Sequence, residues 1–368
     1  MMNTGNGKKV IAAMSGGVDS SCAAALLQRQ GYDVVGVTLN VWPSEESAVK
    51  CARTCCSITD VDDARQVCYK LGIPHYVLNM RDYFREHVID YFIGEYLKGR
   101  TPNPCIACNA YVKFEALLRK AEALGADYIA TGHYAEIVRA PQGGLCLRRS
   151  ADTHKDQTYV LYMLGQRQLS RLLLPCGGYT KPQIRALAEQ FGLPTFKKPD
   201  SQDLCFVGPE GYAGFIRANC GGAAKPGKVV DRQGRVLGEH DGIYNFTIGQ
   251  RKGLGRYTNV RSFVTAIDAA TGTVTLGSSE DLYAPAMEVD TLSQAYEGAL
   301  EDGAHLMVKI RYNAPACGAR LCLRPGENGC KVVFDTPQRA VTAGQAAVFY
   351  EDERVLGGGV IAKALPSA

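Results

Sequence analysis

No stretch of about 18 consecutive apolar residues occurs in this 368-residue chain, so no segment of it reads as a membrane-spanning helix. Residues Met1 to Lys9 carry no apolar signal region, and the expectation is a cytoplasmic protein with no membrane partner. Charge of one sign is also scarce: 41 Lys and Arg stand against 37 Asp and Glu, a net +4 that neither demands nor excludes nucleic acid. Internal repeats and low-complexity tracts are missing. The 14 cysteines are few for the length and arrive in close pairs, unlike the framework of a small secreted domain. In a reducing compartment such pairs are reactive or metal-binding more often than structural. The common phosphate loop ending in Gly-Lys-Ser/Thr is absent as well.

What the chain does have is Ser15-Gly16-Gly17-Val18-Asp19-Ser20, directly after the apolar run Val10 to Met14. Such a run reads as a buried parallel strand, and Ser20 to Gln30, with Cys22, Ala23, Leu26 and Leu27 on one face, reads as a helix. The motif is the turn between them. Two glycines let the backbone approach a ligand, serines offer hydroxyls, and the amides of the following helix aim partial positive charge into the turn. That combination is a phosphate cradle. Asp19 makes sense inside one only beside a cation, so magnesium bridging the acid and the phosphates is expected. The turn resembles the signature of the ATP pyrophosphatases, which implies ATP as cosubstrate and adenylation of an oxygen that is to be replaced.

The length suggests two or three domains. From Lys8 to about Gly208, apolar runs alternate with amphipathic segments, the pattern of a doubly wound α/β domain with a parallel sheet. Candidate strands are Val10 to Met14, Val34 to Leu39, His75 to Asn79 and Tyr128 to Thr131. Helical faces are marked by Val61, Ala64, Val67, Cys68 and Leu71, by Phe114, Leu117, Leu118, Ala121 and Leu124, and by Ile184, Leu187, Ala188 and Phe191 after Thr180 and Pro182. Beyond Pro209, a short helix near Phe215 to Asn219 gives way to short runs rich in Val, Tyr and Thr. Val264 to Asp268 with Thr273 to Leu276, Leu306 to Tyr312 with Ala319 to Leu323, and Lys331 to Asp335 with Ala346 to Tyr350 read as hairpins of one or two small β-barrels. The expected domains are 1–208 (catalytic α/β), 209–282 (small, β-rich) and 283–368 (a C-terminal β-barrel that binds RNA).

The segment Arg100-Thr101-Pro102-Asn103-Pro104-Cys105-Ile106-Ala107-Cys108-Asn109 places two prolines and a C-x-x-C pair before a helix expected to begin around Lys113. Proline stiffens the approach, and a thiol near a helix N-terminus has its anionic form favoured. A third cysteine, Cys205, lies in Asp200-Ser201-Gln202-Asp203-Leu204-Cys205-Phe206. With Ala130-Thr131-Gly132-His133-Tyr134, Lys155-Asp156-Gln157-Thr158-Tyr159, Gly249-Gln250-Arg251-Lys252-Gly253-Leu254-Gly255 and Arg311-Tyr312, these stretches form an ordered set. Across nearly its full length the chain resembles the tRNA-specific 2-thiouridylases.

That resemblance implies adenylation of the 2-oxygen of the wobble uridine, followed by its replacement with sulfur. It assigns Cys205 as the persulfide carrier and Cys108 as its partner. Ala13, Met14, Ser15, Gly16, Gly17, Val18, Asp19, Ser20, Leu39 and Gly132 become the nucleotide contacts; Leu39 ends a strand where open α/β sheets meet adenine. Asn103, Pro104, Cys105, His133, Lys155, Asp156, Gln157, Arg311, Tyr312 and Gln345 become contacts to the tRNA anticodon region, where splayed bases meet aromatic and guanidinium planes. An upstream protein sulfur donor, such as a cysteine desulfurase or relay, is implied as a further partner.

The chain departs from the family pattern at Cys105, where many members carry Asp. Three thiols, Cys105, Cys108 and Cys205, admit the alternative of a [4Fe-4S] cluster with one open iron. Cys51, Cys55 and Cys56 form a further C-x-x-x-C-C group, read as incidental or accessory. The remaining cysteines read as small core or surface residues. Another ATP pyrophosphatase ligase acting on a small metabolite is the alternative activity, though the chain holds no glutaminase nucleophile motif. A non-enzymatic RNA-binding or metal-storage protein would leave the glycine turn without a purpose.

Overall fold

The computed structural model of the protein describes residues 6–42, 58–200 and 204–366. The chain forms two compact units, one of residues 1–88, 105–209 and 353–356, the other of 89–104, 210–352 and 357–368.

The first unit is built on a five-stranded sheet. Its first strands are β1 (Lys9–Ala13), β2 (Asp33–Asn40), β3 (His75–Asn79) and β4 (Tyr128–Ala130); a hairpin of β5 (Glu136–Arg139) and β6 (Leu145–Arg148) precedes the fifth, β7 (Leu172–Leu173). The order is β3-β2-β1-β4-β7 and every pairing in it is parallel. Helices α1 (Val18–Arg29), α2 (Ile58–Leu71) and α5 (Lys181–Gln190) share one core with β1, in which Val10, Ala12, Cys22, Leu26, Ala64, Val67, Ile184 and Ala188 are buried. Between α2 and α5 in the chain lie α3, running through Arg81–Phe84, Arg85–Asp90 and Tyr91–Leu97, and α4, running through Pro104–Ala107, Cys108–Ala116 and Leu117–Ala123. The middle stretch of each is π-helical.

Two boundaries differ from the sequence expectation. Helix α1 starts at Val18 rather than Ser20, so half of the glycine motif is helix. Helix α4 starts at Pro104, nine residues before the expected Lys113, because a proline costs nothing at the first position of a helix, where its missing N–H has no intrahelical partner. Cys105 and Cys108 therefore lie inside its opening turns and not before it. Leu124, expected on the buried face, follows the last turn and is 61% exposed.

In the second unit, helix α6 (Gly211–Asn219) precedes a four-stranded sheet of β8 (Gly227–Asp231), β9 (Val236–His240), β10 (Phe263–Asp268) and β11 (Thr273–Gly277), ordered β10-β11-β8-β9 around Val229, Phe246, Leu254, Val264 and Val274. Six further strands follow: β12 (Tyr283–Gln294), β13 (His305–Lys309), β14 (Cys317–Leu323), β15 (Gly329–Arg339), β16 (Ala346–Glu351) and β17 (Arg354–Leu365). They run in the order β12-β15-β14-β13-β16-β17, and β17 pairs back onto β12 to close a barrel. Closure removes the free edges that a small open sheet would expose. The β10–β11 and β13–β14 hairpins form as the alternation suggests. The expected pairing of β15 with β16 does not, because β14 and β13 lie between them. Arg311 and Tyr312 fall in the turn after β13 rather than on a strand, since pairing ends at Lys309.

Candidate active site

Strand order reverses on either side of β1, and the crevice beyond the ends of β1 and β4 is where open α/β sheets bind ligands. A cleft opens there, lined by Ala13, Met14, Ser15, Asp19, Ser20, Val37, Thr38, Leu39, Lys113, Thr131, Gly132, His133 and Gln157. Gly16 has φ +70°, and a Cβ on it would lie 2.2 Å from the carbonyl oxygen of Asp60 in α2. Gly132 has no room either, its Cβ position being 2.6 Å from the α1 backbone at Asp19 and Ser20. Glycine is thus required at both places by close packing of backbone on backbone.

The turn closes on itself through hydroxyls. Ser20 Oγ donates to Gly17 O (3.1 Å) and accepts from the Ser15 N–H (3.2 Å), while Ser21 Oγ donates to Gly17 O at 2.8 Å. Gly17 is the N-cap in extended conformation with no side chain capping the helix, so the first N–H groups of α1 point into the cleft. Behind the turn, Thr38 Oγ1 donates to Met14 O at 2.9 Å and therefore accepts from His75 Nε2 at 2.9 Å. That bond puts a proton on His75 Nε2, and burial lowers the pKa, which favours the neutral ring.

Asp19 meets a side-chain cation. Lys181 Nζ donates to both Asp19 oxygens (2.7 and 2.8 Å), and Tyr134 Oη donates to one of them at 2.7 Å. Burial beside this carboxylate raises the Tyr134 pKa, so the phenol stays a donor. Lys181 also meets Asp200 at 2.9 Å, and Asp200 is shared with Lys155 (2.7 Å) and Arg185 (2.8 Å). Although burial opposes ionisation, bonds from Lys155 and Lys181 hold the Asp200 pKa down to about 2. Lys198 forms a parallel clamp, donating to Gly16 O at 3.0 Å and to Asp60 at 2.5 Å, with Asp63 as a third partner.

Sequence reasoning missed Lys181, Lys113 and Lys198. One signal for Lys181 was available: a lysine in the first turn of a helix opposes the macrodipole and needs a carboxylate or an anion to justify it. Thr180 does open that helix as expected, its N–H donating to Gln183 Oε1 at 2.8 Å.

Helix α4 carries Cys108 at the start of its π stretch, and hydrogen bonding of residue i to i+5 places Lys113 about one turn further along the same side. Lys113 lines the cleft, so the helix that carries Cys108 also brings an ammonium to it. Asn109 is buried and donates to Val160 O at 2.9 Å, while its Oδ1 has no hydrogen-bond partner. Cys205 lies in a turn closed by Val207 N–H on Leu204 O (3.1 Å), and Phe206 packs edge-on against Phe84 of α3 at 5.8 Å. Cys108 and Cys205 are both partly exposed, and Cys105 is exposed.

The models that match this chain are those of the tRNA methyl transferase HUP domain over residues 8–209, its PRC-barrel domain over 215–278 and the aminomethyltransferase beta-barrel domain over 288–361. The tRNA-specific 2-thiouridylase MnmA of Clostridium acetobutylicum is 50% identical over 354 residues, which cover 96% of this chain and 99% of that protein. The chain belongs to the tRNA-specific 2-thiouridylase family. Its relative of the same name from Carboxydothermus hydrogenoformans is also 50% identical, with 97% and 98% covered. A solved 4-thiouridine synthetase–RNA complex with bound ATP is 18% identical over 56% of this chain and 47% of its own, at a TM-score of 0.34, too distant to bear on fold or chemistry.

Several 2-thiouridylase candidates take positions that the sequence did not foretell. Asp156 is buried and accepts from Thr158 Oγ1 at 2.7 Å; Gln157 Oε1 accepts from the Tyr134 N–H at 2.9 Å, bracing the Gly132 turn from the cleft wall. His133 Nδ1 meets Thr131 Oγ1 at 2.7 Å and its ring packs near Phe114. In the second unit, Gln345 Nε2 donates to Thr101 O (2.7 Å) and Ala343 O accepts from the Thr101 N–H (2.8 Å), which pins the chain two residues before Asn103 and Pro104. Arg311 donates to the carbonyl oxygens of Arg339 (3.2 Å) and Ala340, tying the turn that also holds Tyr312.

Among the described residues no three His, Cys, Asp or Glu side chains are gathered to hold a metal ion. Cys105, Cys108 and Cys205 are all described, and as placed they do not form the donor set of an iron–sulfur cluster. Cys51, Cys55 and Cys56 lie outside the described residues. Burial pushes Cys22 up to about 12 and Cys176 well above the ordinary thiol range, so the two cysteines beside α1 stay protonated and inert. Among the described residues no helix is long and apolar enough to cross a membrane.

Proposed function

We propose that this chain is an ATP-dependent tRNA 2-sulfurtransferase acting on the wobble uridine, with Cys205 as persulfide carrier and Cys108 as its resolving partner. The observation that carries this reading is that α4 bears both Cys108 and Lys113, and Lys113 lines the cleft in which the glycine turn and Asp19–Lys181 stand ready for a polyphosphate.

The N–H groups opening α1 take phosphate oxygens, and Lys181 stabilises the charge that builds when the uridine 2-oxygen attacks the α-phosphorus and pyrophosphate leaves. A magnesium ion arriving with the nucleotide would find one carboxylate, Asp19, and would supply further charge neutralisation. The terminal sulfur of the Cys205 persulfide then attacks C2, and the C–O bond breaks with AMP as leaving group. The Cys108 thiolate attacks the inner sulfur, its bond to the terminal sulfur breaks, and the thiocarbonyl remains on the base. The product disulfide Cys108–Cys205 is reset by a thiol reductant. The persulfide route asks for two accessible thiols, and the partial exposure of Cys108 and Cys205 supports it.

Pyrophosphate release measured with ATP, with and without unmodified tRNA, tests this reading. Release is expected to depend on tRNA; release indifferent to tRNA and stimulated by a small metabolite sinks it. Cys205→Ser is expected to abolish 2-thiouridine formation by mass spectrometry while leaving tRNA-dependent pyrophosphate release within about threefold of wild type.

A further inference from the structure

Three aromatic rings form a ladder on the elements that carry the sulfur chemistry. Tyr83 and His87 stand four residues apart on α3, with ring centroids 4.1 Å apart. His87 stacks in turn on Tyr111 of α4, at 5.3 Å and an interplanar angle of 24°. Tyr111 ends the ladder and is 48% exposed. It follows Cys108 by three residues on the same π stretch, and Phe84, next to Tyr83, takes the ring of Phe206, the neighbour of Cys205. Tyr111 thus shares its helix with Cys108, and Tyr83 precedes in the chain the residue that packs on the neighbour of Cys205.

Tyr83 and His87 are half-buried, and Tyr111 is the exposed ring of the three. Phe84 and Val88 of α3 and Val112 of α4 are among the buried members of these helices at 0–1% exposure, whereas Tyr111 stands half out of the packing. A ring already stacked on one face is held in orientation, so its open side binds a second planar group at low entropic cost. Single-stranded nucleic acid offers such groups, and aromatic side chains that take bases this way act without sequence preference.

We propose that Tyr111, backed by His87 and Tyr83, is a stacking platform for an unpaired base that flanks the target uridine. This rests on the functional reading above, since it is the position of Cys108 in sulfur transfer that brings RNA to this helix. The platform holds the neighbouring base while the target base enters the cleft, and it acts in binding rather than in the chemical steps.

An anticodon stem-loop RNA with 2-aminopurine beside the target uridine, titrated with the full-length protein, tests the proposal. Wild type and Tyr111→Phe are expected to quench the probe, while Tyr111→Ala loses the quench and binds about tenfold or more weakly. Pyrophosphate release by Tyr111→Ala at saturating RNA is expected to match wild type, and unchanged thermal melting confirms the fold. Unaltered quenching and affinity in Tyr111→Ala overturn the platform and leave the thiolation reading standing. Unaltered RNA affinity with slowed persulfide loading also overturns it, by assigning the rings to a sulfur-donor protein. A wild-type protein that neither binds the RNA nor releases pyrophosphate with it overturns the functional reading, and the platform falls with it.

Discussion

Helices α1 and α4 both line the cleft, α1 with Asp19 and Ser20 and α4 with Lys113, and their first turns are made in opposite ways. The start of α1 is regular and closed: Gly16 is seated on the Asp60 carbonyl, Ser20 and Ser21 return their hydroxyls to Gly17, and Lys181 answers Asp19. The start of α4 begins on proline, winds as a π-helix from Cys108 onward, and keeps a buried amide oxygen on Asn109 without a hydrogen bond. A site that receives the same phosphates at every turnover gains from being fixed in advance, because donors already in place need no reorganisation. On the function proposed above, α4 would meet a base and a second thiol in succession, and a departure from the ideal helix, of the kind frequent at functional sites, suits a segment with such changing contacts.

The largest effect is expected at Lys181. Lys181→Met removes the ammonium from both Asp19 and Asp200 and is expected to lower tRNA-dependent pyrophosphate release roughly 100-fold or more. Persulfide loading of Cys205, followed by mass spectrometry, should persist if α1 and the thiols are independent parts. Loss of both together would mean that the contrast between the two helices is wrong. A smaller pair of effects compares the two helices directly. Gly16→Ala forces a non-glycine residue to φ +70° and drives a Cβ into the Asp60 backbone, at an expected cost of about 2–5 kcal/mol. Asn109→Ala forfeits one bond to Val160 O but also removes the orphaned oxygen, at an expected cost of about 1 kcal/mol. Urea unfolding of the two variants checks the order, and an Asn109 variant as damaged as the Gly16 one would contradict it.

The parallel sheet was legible because buried parallel strands are unbroken apolar runs, and Val10 to Met14 leaves little else to choose, whereas His75 to Asn79 is an edge strand with no buried residue and was read from its Tyr, Val and Leu. The glycine turn was legible because its chemistry is local. Its cation was not: Lys181 lies 162 residues from Asp19, and nothing short of the fold brings them together. Helix α4 was misjudged at its start because two prolines look like a loop, although Pro104 opens the helix instead. The barrel hairpins were read from proximity in sequence, which served β13–β14 and failed β15–β16, since barrel closure places strands by register and not by order along the chain. Arg311 and Gln345 were singled out for RNA, and in the fold they bond to backbone carbonyls; the chemistry of a side chain could be read, but not the groups it would meet.

The smallest expected effect belongs to His75, and it sharpens the claim that α1 is fixed in advance. Burial, with Arg65 nearby, lowers the His75 pKa below its usual 6.5, and the Nε2–H bond to Thr38 requires only the neutral ring. A group whose folded pKa is depressed contributes its full stabilisation above the unfolded pKa and loses it as pH falls through the folded value. The stability that His75 contributes as a neutral ring is therefore complete above about pH 6.5 and is lost as acid protonates it. The Nε2–H donor remains, but the charge, placed in a half-buried site beside Arg65, strains the packing behind Thr38 and Met14. Thermal melting between about pH 7.5 and 5 should show wild type losing more stability than His75→Gln, which keeps an N–H donor without titrating. Equal slopes would show that the ring does not brace the turn. A steeper fall in the wild type, accompanied by weaker nucleotide binding over the same range, would place the rigidity of the phosphate cradle partly in β3, two strands away from where the phosphates bind.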